Sequence, residues 1–119
     1  MTLESFRFAD HVVGFIANKA INTPLLDELH DQVDSALTGL DKISLYMEFH
    51  GLGTLHPSII SHDLKFKNSR RDRFDKVAIV TDSVLISSYI KILGLFMKYD
   101  LKTFSLKQRT TALQWVSMI

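Results

Sequence analysis

Three histidines recur at intervals of six residues near the middle of the chain, with acidic residues beside two of them: His50, His56 and His62 are accompanied by Glu48 and Asp63. Two imidazoles and a carboxylate can together bind a divalent metal ion. A spacing of six brings the rings together neither on a strand nor on a helix, and the chain has no motif such as H-E-x-x-H. We therefore expect ordinary loop and capping histidines, and the sequence predicts neither a metal site nor a cofactor.

A serine and a histidine four residues apart, Ser58 and His62, could serve as nucleophile and base on one face of a helix. No Gly-x-Ser-x-Gly elbow surrounds Ser58, and no oxyanion arrangement is visible in the sequence. The pair Gly51 and Gly53 is not a dinucleotide fingerprint, because the third glycine and the later acidic residue are absent. The sequence therefore predicts a protein that is not an enzyme.

The segment 50–57, HGLGTLHP, follows a predicted strand and places Leu52 and Leu55 among glycines and a proline. In a parallel sheet the segment after a strand lines the crevice where ligands bind. We predict that this loop is an apolar lid over a ligand. The residues expected to orient the polar head of that ligand are His50, His56 and Ser58.

Basic residues crowd the far end of the helix that is predicted to begin at Pro57, with five in the nine positions 65–73. Positive charge near a helix C-terminus is favourable for the dipole alone, and most such runs are solvated faces. Clustered Lys and Arg also attract an anionic bilayer by about 1 kcal/mol each, which beside an apolar patch gives peripheral attachment. The predicted membrane or anion contacts are Lys65, Arg70, Arg71 and Arg73.

Composition limits the classes of function. The 119 residues suit a single domain, 1–119, and the formal net charge of +1 gives no global field for nucleic acid. The absence of cysteine excludes disulfides and thiolate chemistry and fits a reducing compartment. The first residues lack the pattern of a signal peptide. We expect a cytoplasmic protein that associates peripherally with the inner face of the membrane.

Hydrophobic periodicity predicts an α/β domain with the element order ββαβαβαβα. The short connection after the first strand favours a hairpin, and strands separated by helices favour parallel crossovers. The result is a mostly parallel five-stranded sheet with an antiparallel first strand at its edge. The predicted strands are 4–8, 12–17, 43–49, 76–81 and 101–104, and the predicted helices begin after caps at 22–23, 54–56, 81–83 and 105.

The helix predicted at 84–99 is more apolar than one packing surface requires. On a wheel its predicted solvated stripe contains Ser87, Lys91, Gly94 and Lys98. Opposite that stripe lie the residues expected to pack on the sheet, namely Leu85, Tyr89, Ile92, Phe96 and Tyr99. A second apolar stripe remains, formed by Ile86, Ile90, Leu93 and Met97. A neighbouring helix, a dimer contact, an apolar ligand or a membrane could cover it.

Three local motifs accompany this element order: a DLKF run at 63–66, FDKVAIVTD at 74–82 and ALQWV at 112–116. Together they resemble the SpoIIAA-like group of the STAS superfamily over nearly the whole chain. The resemblance implies a small α/β domain whose topology is similar to that of CRAL-TRIO lipid-carrier domains. In anti-anti-sigma proteins of that superfamily a serine or threonine in a D-S-[ST]-G context is phosphorylated. The matching region here, MEFHGLGTLHPSII, contains Thr54 and Ser58 but lacks that motif.

The leading hypothesis is a non-enzymatic domain that binds a small apolar or amphipathic, lipid-like ligand. The alternative is a regulatory protein-interaction module of the anti-anti-sigma type, with or without phosphorylation near Thr54 or Ser58. A homodimer is a further candidate partner. The predicted apolar ligand contacts are Leu52, Leu55, Ile59, Ile86, Ile90, Leu93 and Met97.

Overall fold

Five strands and four α-helices follow one another along residues 3–18, 22–50, 57–95 and 99–118, the part of the chain that the computed structural model describes. Two 3₁₀ turns lie at Arg71–Arg73 and Leu106–Gln108. The elements are β1 (Leu3–Ala9), β2 (Val12–Ala17), α1 (Thr23–Leu37), β3 (Ile43–Phe49), α2 (Pro57–Ser69), β4 (Phe74–Val80), α3 (Val84–Gly94), β5 (Asp100–Phe104) and α4 (Arg109–Ser117).

The strands form one sheet in the order β1-β2-β3-β4-β5. β1 is antiparallel to β2, because only Asp10 and His11 separate the two strands and so short a link permits only a hairpin. The other neighbours are parallel, and each pair is joined through a helix. The predicted element order and the antiparallel edge strand are confirmed.

Strand β3 lies at the centre of the sheet and is buried at all seven of its positions. Successive side chains of a strand point to opposite faces, so the core has two halves. Leu45 and Met47 belong to the half that includes residues of α1, α2 and α3, whereas Tyr46 belongs to the half that includes residues of α4. Helices therefore cover both faces, as a parallel sheet requires.

The first helix follows its sequence pattern closely. The side chain of Asn22 accepts a hydrogen bond from the backbone N–H of Leu25 at 3.0 Å, and Pro24 occupies the first turn, where its missing N–H costs nothing. The apolar residues of α1 recur at helical spacing and form its buried face, and Leu40 packs against the same core; the buried apolar residues are Leu26, Leu29, Val33, Ala36 and Leu37. Local capping and the 3.6-residue period were sufficient to predict where α1 begins and which of its faces is buried.

Helix α3 differs from its predicted orientation and length. It ends at Gly94, and Tyr99 already lies outside it, next to β5. Ile92, expected to pack on the sheet, is 61% exposed, whereas Ile90 is 8% exposed and belongs to the core.

The stripe predicted to be solvated is partly an inward stripe. The Ser87 hydroxyl donates to the Thr103 hydroxyl of β5 at 3.1 Å, and a Cβ built on Gly94 would lie 3.3 Å from the Leu101 side chain. The small residues Ser87 and Gly94 let α3 approach β5 closely. The wheel was wrong in this respect because it assumed that polar and small residues face water. Lys91 of the same stripe is exposed, as predicted.

Substitutions on α3 test this orientation. Ile90→Ala should lower the free energy of unfolding by about 2–5 kcal/mol, because it removes buried methyl groups from the core. Ile92→Ala on the exposed side should change it by no more than about 0.5 kcal/mol. Urea unfolding of both variants measures the difference, and a larger loss for Ile92→Ala would restore the orientation expected from the wheel.

A close aromatic contact explains Gly14 of β2. Gly14 pairs with Phe6 of β1, and a Cβ at Gly14 would lie 2.2 Å from the Phe6 ring. The ring covers the glycine and meets Tyr46 edge-on, with the ring centroids 5.8 Å apart. Phe6 can occupy this place only while residue 14 has no side chain.

Gly14→Ala should therefore push the Phe6 ring off the sheet and destabilise the protein by about 1–3 kcal/mol. Gly39→Ala is the matched control, since no atom of the described residues lies within 4 Å of a Cβ built there. Thermal unfolding of the two variants provides the comparison. Equal melting temperatures for the two variants would mean that the Phe6 ring does not exclude a side chain at position 14.

Candidate functional site

A cleft of about 360 Å³ opens at the carboxyl ends of β4 and β5 and is named here the β4–β5 groove. Its walls are the segment 81–84 with the first turns of α3, and the segment 103–108 that leads into α4. Six of its residues carry hydroxyl groups: Thr81, Ser83, Ser87, Ser88, Thr103 and Ser105. The remaining lining residues are Asp82, Val84, Lys91, Phe104 and Gln108.

The groove opens here because consecutive connections leave the sheet on opposite faces. α3, which follows β4, contributes Ile90 to the same half of the core as α1 and α2, whereas α4, which follows β5, contributes Ala112 and Val116 to the other half. The chain therefore diverges between the ends of β4 and β5. Open α/β sheets bind ligands outside the carboxyl ends of their strands, which is where this cleft lies.

Hydrogen bonds within the groove fix its walls. The Asp82 carboxylate accepts from the backbone N–H of Leu106 at 2.9 Å, which ties one wall to the other. The side chain of Gln108 accepts from the backbone N–H of Ser105 at 3.1 Å, as part of a capping box of the form S-x-x-Q at the predicted cap. The groove is thus a preformed polar concavity with one cationic residue, Lys91, at its edge.

A buried carboxylate, Glu48, lies at the end of the central strand on the α4 side of the sheet. It is 1% exposed and accepts hydrogen bonds from the Tyr46 hydroxyl, from Nε2 of His50 and from the guanidinium of Arg109, whose Nε lies 3.2 Å away. A carboxylate has about four acceptor sites, and these donors occupy them. Glu48 therefore serves to anchor the start of α4 to the sheet.

The electrostatics of Glu48 follow from these partners. Burial alone would raise the pKa of this carboxyl, but the hydrogen bonds from Tyr46, Arg109 and His50 outweigh burial and hold the pKa below its ordinary value. For Tyr46 burial is the main cause, and together with the adjacent Glu48 charge it raises the pKa of the phenol. Glu48 is thus ionised and Tyr46 neutral at neutral pH.

A second polar cluster joins α1 to α2 on the opposite face of the sheet. Asp63 accepts from Nε2 of His30 at 2.9 Å and from the ammonium of Lys67, which is 3% exposed and lies 3.1 Å from the Met47 sulfur. Burial opposes ionisation of Asp63, but Lys67 and His30 prevail and lower its pKa. Beside it, burial and the Asp63 charge raise the pKa of Tyr99.

Only some of the predicted ligand contacts lie among the residues that the structure describes. Leu52, Leu55, His56 and Met97 lie outside the described residues, as does Thr54. Ser58, Ile59, Ile86 and Leu93 lie in helices, but their side chains are not described. Ile90 is in the core, and His50 is bound to Glu48 with its side chain 33% exposed. The predicted lid after β3 therefore remains a prediction.

The predicted basic contacts have different surroundings. Lys65 is exposed. Arg70 binds the Asp34 carboxylate through Nε at 2.5 Å and a second nitrogen at 3.0 Å, and stacks 3.8 Å over the Phe66 ring. Arg73 donates to backbone carbonyls in the segment 37–41 and so closes the end of α1. The side chain of Arg71 is not described.

The groove residues and Arg109 were not identified as site residues from the sequence. A signal was present: polar stops follow both β4 and β5, at 81–83 and at 105–108, and adjacent parallel strands bring such stops to one edge. For Glu48 the signal was the alternation Tyr46, Glu48 and His50 along an otherwise apolar strand. Nothing local pairs Glu48 with Arg109, which lies 61 residues further along the chain.

Glu48→Gln should destabilise the protein at pH 7 by about 1–3 kcal/mol, because it weakens the hydrogen bonds that end on a buried carboxylate while the Arg109 side chain, 51% exposed, can turn to solvent. Since the pKa of Glu48 is lowered in the folded state, its contribution is complete above the ordinary value of 4.5 and is lost as the pH falls through the folded value. Urea unfolding at a series of pH values should show the two proteins converging in acid. Glu28→Gln, at an exposed position of α1, is the control. If Glu48→Gln remained less stable than the unmodified protein in acid, this account would be contradicted.

Comparison with known proteins agrees with this architecture. A crystal structure of an uncharacterized protein of the DUF3478 family from Shewanella loihica PV-4, described as having a SpoIIAA-like fold, superposes with a TM-score of 0.74 at 21% identity, covering 96% of this chain and 91% of that one. No curated protein matches the sequence. The SpoIIAA-like family model matches residues 12–117. The chain therefore belongs to the SpoIIAA-like family.

Proposed function

We propose that this protein is a non-enzymatic binding domain for a small amphipathic ligand, with the polar head in the β4–β5 groove and the apolar part along α3. The observation that carries the proposal is that α3 exposes large apolar side chains, one of which also lines the groove. Val84 lines the groove and is 78% exposed, and Ile92 and Leu95 continue outward at 61% and 81% exposure. Val84 and Leu95 are about 16 Å apart along a helix.

The polar half of the groove suits a head group with several hydrogen-bonding atoms. Hydroxyl groups both donate and accept, and Lys91 adds a positive charge at the edge. The Asp82 carboxylate is directed to Leu106. A carboxylate or another small oxygen-rich head group fits this set of donors.

The apolar half favours a ligand with a hydrocarbon part. Val84, Ile92 and Leu95 are each more than 60% exposed, so a hydrocarbon chain laid along α3 could contact all three. Burying one valine contributes about 1.5 kcal/mol, so contacts with Val84, Ile92 and Leu95 would supply much of the affinity.

The proposed role is binding rather than catalysis because the acidic groups near the groove, Glu48 and Asp82, are engaged structurally. Glu48 is saturated by donors, and Asp82 holds the chain at Leu106. Attachment to an anionic membrane is part of the same proposal. Lys65 is exposed and would meet the bilayer, whereas Arg70 and Arg73 have partners within the chain. Among the described residues, no helix combines the length and apolar character needed to cross a bilayer.

A second candidate function is a regulatory protein-interaction module. The exposed Val84, Ile92 and Leu95 favour it as well, because a protein partner could bury the same side chains. The two candidates differ in what the groove does: a small ligand requires its hydroxyl groups, whereas a docked protein requires mainly the α3 surface.

Val84→Asp should weaken binding of a fluorescent long-chain fatty acid by about tenfold, because a charge replaces an apolar contact at the mouth of the groove. The fold should tolerate the change, since Val84 is exposed at the start of α3, where an acidic residue suits the helix dipole. Fluorescence titration measures the affinity of each protein.

Ser61→Asp is the matched control, since it adds the same charge at an exposed position of α2 away from the groove. Its affinity should equal that of the unmodified chain. If the probe does not bind the unmodified chain, or binds Val84→Asp equally well, the amphipathic-ligand proposal fails and the interaction module becomes the better candidate.

A further inference from the structure

Two helices bring two imidazoles and a carboxylate together on the face of the protein opposite α4. Asp27 and His30 lie on α1, His62 lies on α2, and one donor atom from each lies within 4.8 Å of the other two. We propose that Asp27, His30 and His62 bind a divalent transition-metal ion such as Zn²⁺. This site is separate from the β4–β5 groove and does not depend on what the groove binds.

The donor set is the one that such ions prefer. Imidazole nitrogen and carboxylate oxygen suit Zn²⁺, Ni²⁺, Co²⁺ and Fe²⁺, and three protein ligands leave a coordination position open for water. Asp27 and His30 are one helical turn apart and therefore share a face of α1. Nε2 of His62 lies 3.6 Å from a carboxylate oxygen of Asp27, a separation that one shared ion can bridge.

His30 is held as a metal ligand would be. Its Nε2 lies 2.9 Å from the Asp63 carboxylate, and the tautomer that donates this hydrogen bond keeps a lone pair on Nδ1 that can bind an ion. A carboxylate on the far nitrogen fixes the tautomer and raises the basicity of a histidine ligand. The ring is also stacked on Phe66, with centroids 3.7 Å apart and planes 2° from parallel, so its orientation is fixed before any ion arrives.

The other two ligands are accessible. The side chains of Asp27 and His62 are 60% and 53% exposed, so an ion can enter from solvent. Lys67 lies behind Asp63 and neutralises it, leaving the Asp27 carboxylate to offset the charge of the ion. The consequence is a link between α1 and α2 that the sequence, read through its six-residue histidine repeat, did not predict.

Zn²⁺ titrated into chelator-treated protein should bind with one-to-one stoichiometry by calorimetry. Co²⁺ should give a visible absorption spectrum typical of nitrogen and oxygen ligands. Zn²⁺ at about 100 times its dissociation constant should raise the melting temperature by roughly 5–10 °C, because only the folded chain assembles the site.

His62→Ala and Asp27→Asn should each lower the Zn²⁺ affinity at least about tenfold. Asp31→Asn, which removes an exposed carboxylate of the same helix, should leave it unchanged. Circular dichroism checks that the variants are folded. The proposal is overturned if the unmodified protein binds no stoichiometric Zn²⁺, or if His62→Ala and Asp31→Asn bind it equally well.

Discussion

The buried carboxylate of Glu48 is the constraint on which much of this structure depends. A charge that is 1% exposed must be compensated, and here a guanidinium reaches it from the beginning of α4. The pair fixes where α4 starts relative to the central strand. Because Arg109 directly follows Gln108, the same contact positions one wall of the β4–β5 groove. The Glu48–Arg109 ion pair therefore stabilises the fold and also positions part of the candidate binding site.

The placement of the helices supplies the second constraint. The three helices that follow β2, β3 and β4 contribute to one half of the core, and α4 contributes to the other. Each parallel crossover returns the chain beside the strand it left, so the sheet grows in sequence order without a rearrangement. Only after β5 does the chain change face, and the groove is the direct geometric result of that change.

Charged groups are distributed in a way that composition conceals. The formal net charge is +1, yet Glu48 and Asp63 are both held as anions inside the fold by cations brought from elsewhere in the chain. Lys67, one of a basic run that reads as a solvated helix end, is buried against Asp63 and Met47. Arg70 and Arg73 of the same run fasten α2 and the turn after it to α1. Most of this basic run therefore stabilises the contact between α1 and α2.

The amino-acid sequence alone determined the order of the elements, the antiparallel edge strand and both faces of α1. These features depend on periodicity, on caps such as Asn22 and Ser105, and on connection lengths, all of which act over a few residues. For α3 the same reasoning placed Ile92 inward and Gly94 outward, because a wheel cannot show that β5 comes close enough to require a glycine. For the candidate sites the sequence contained only separate local signals, such as the polar stops after β4 and β5.

Only tertiary structure decided which polar groups meet. Arg109 reaches Glu48 across 61 residues and His30 reaches Asp63 across 33, and no local pattern relates such partners. The groove likewise needs two polar stops from different strands to lie at one edge of the sheet. The sequence determined these segments individually, because each is specified by its own hydrogen bonds and side-chain pattern. Their meeting depends on how the sheet assembles, which is a property of long-range packing.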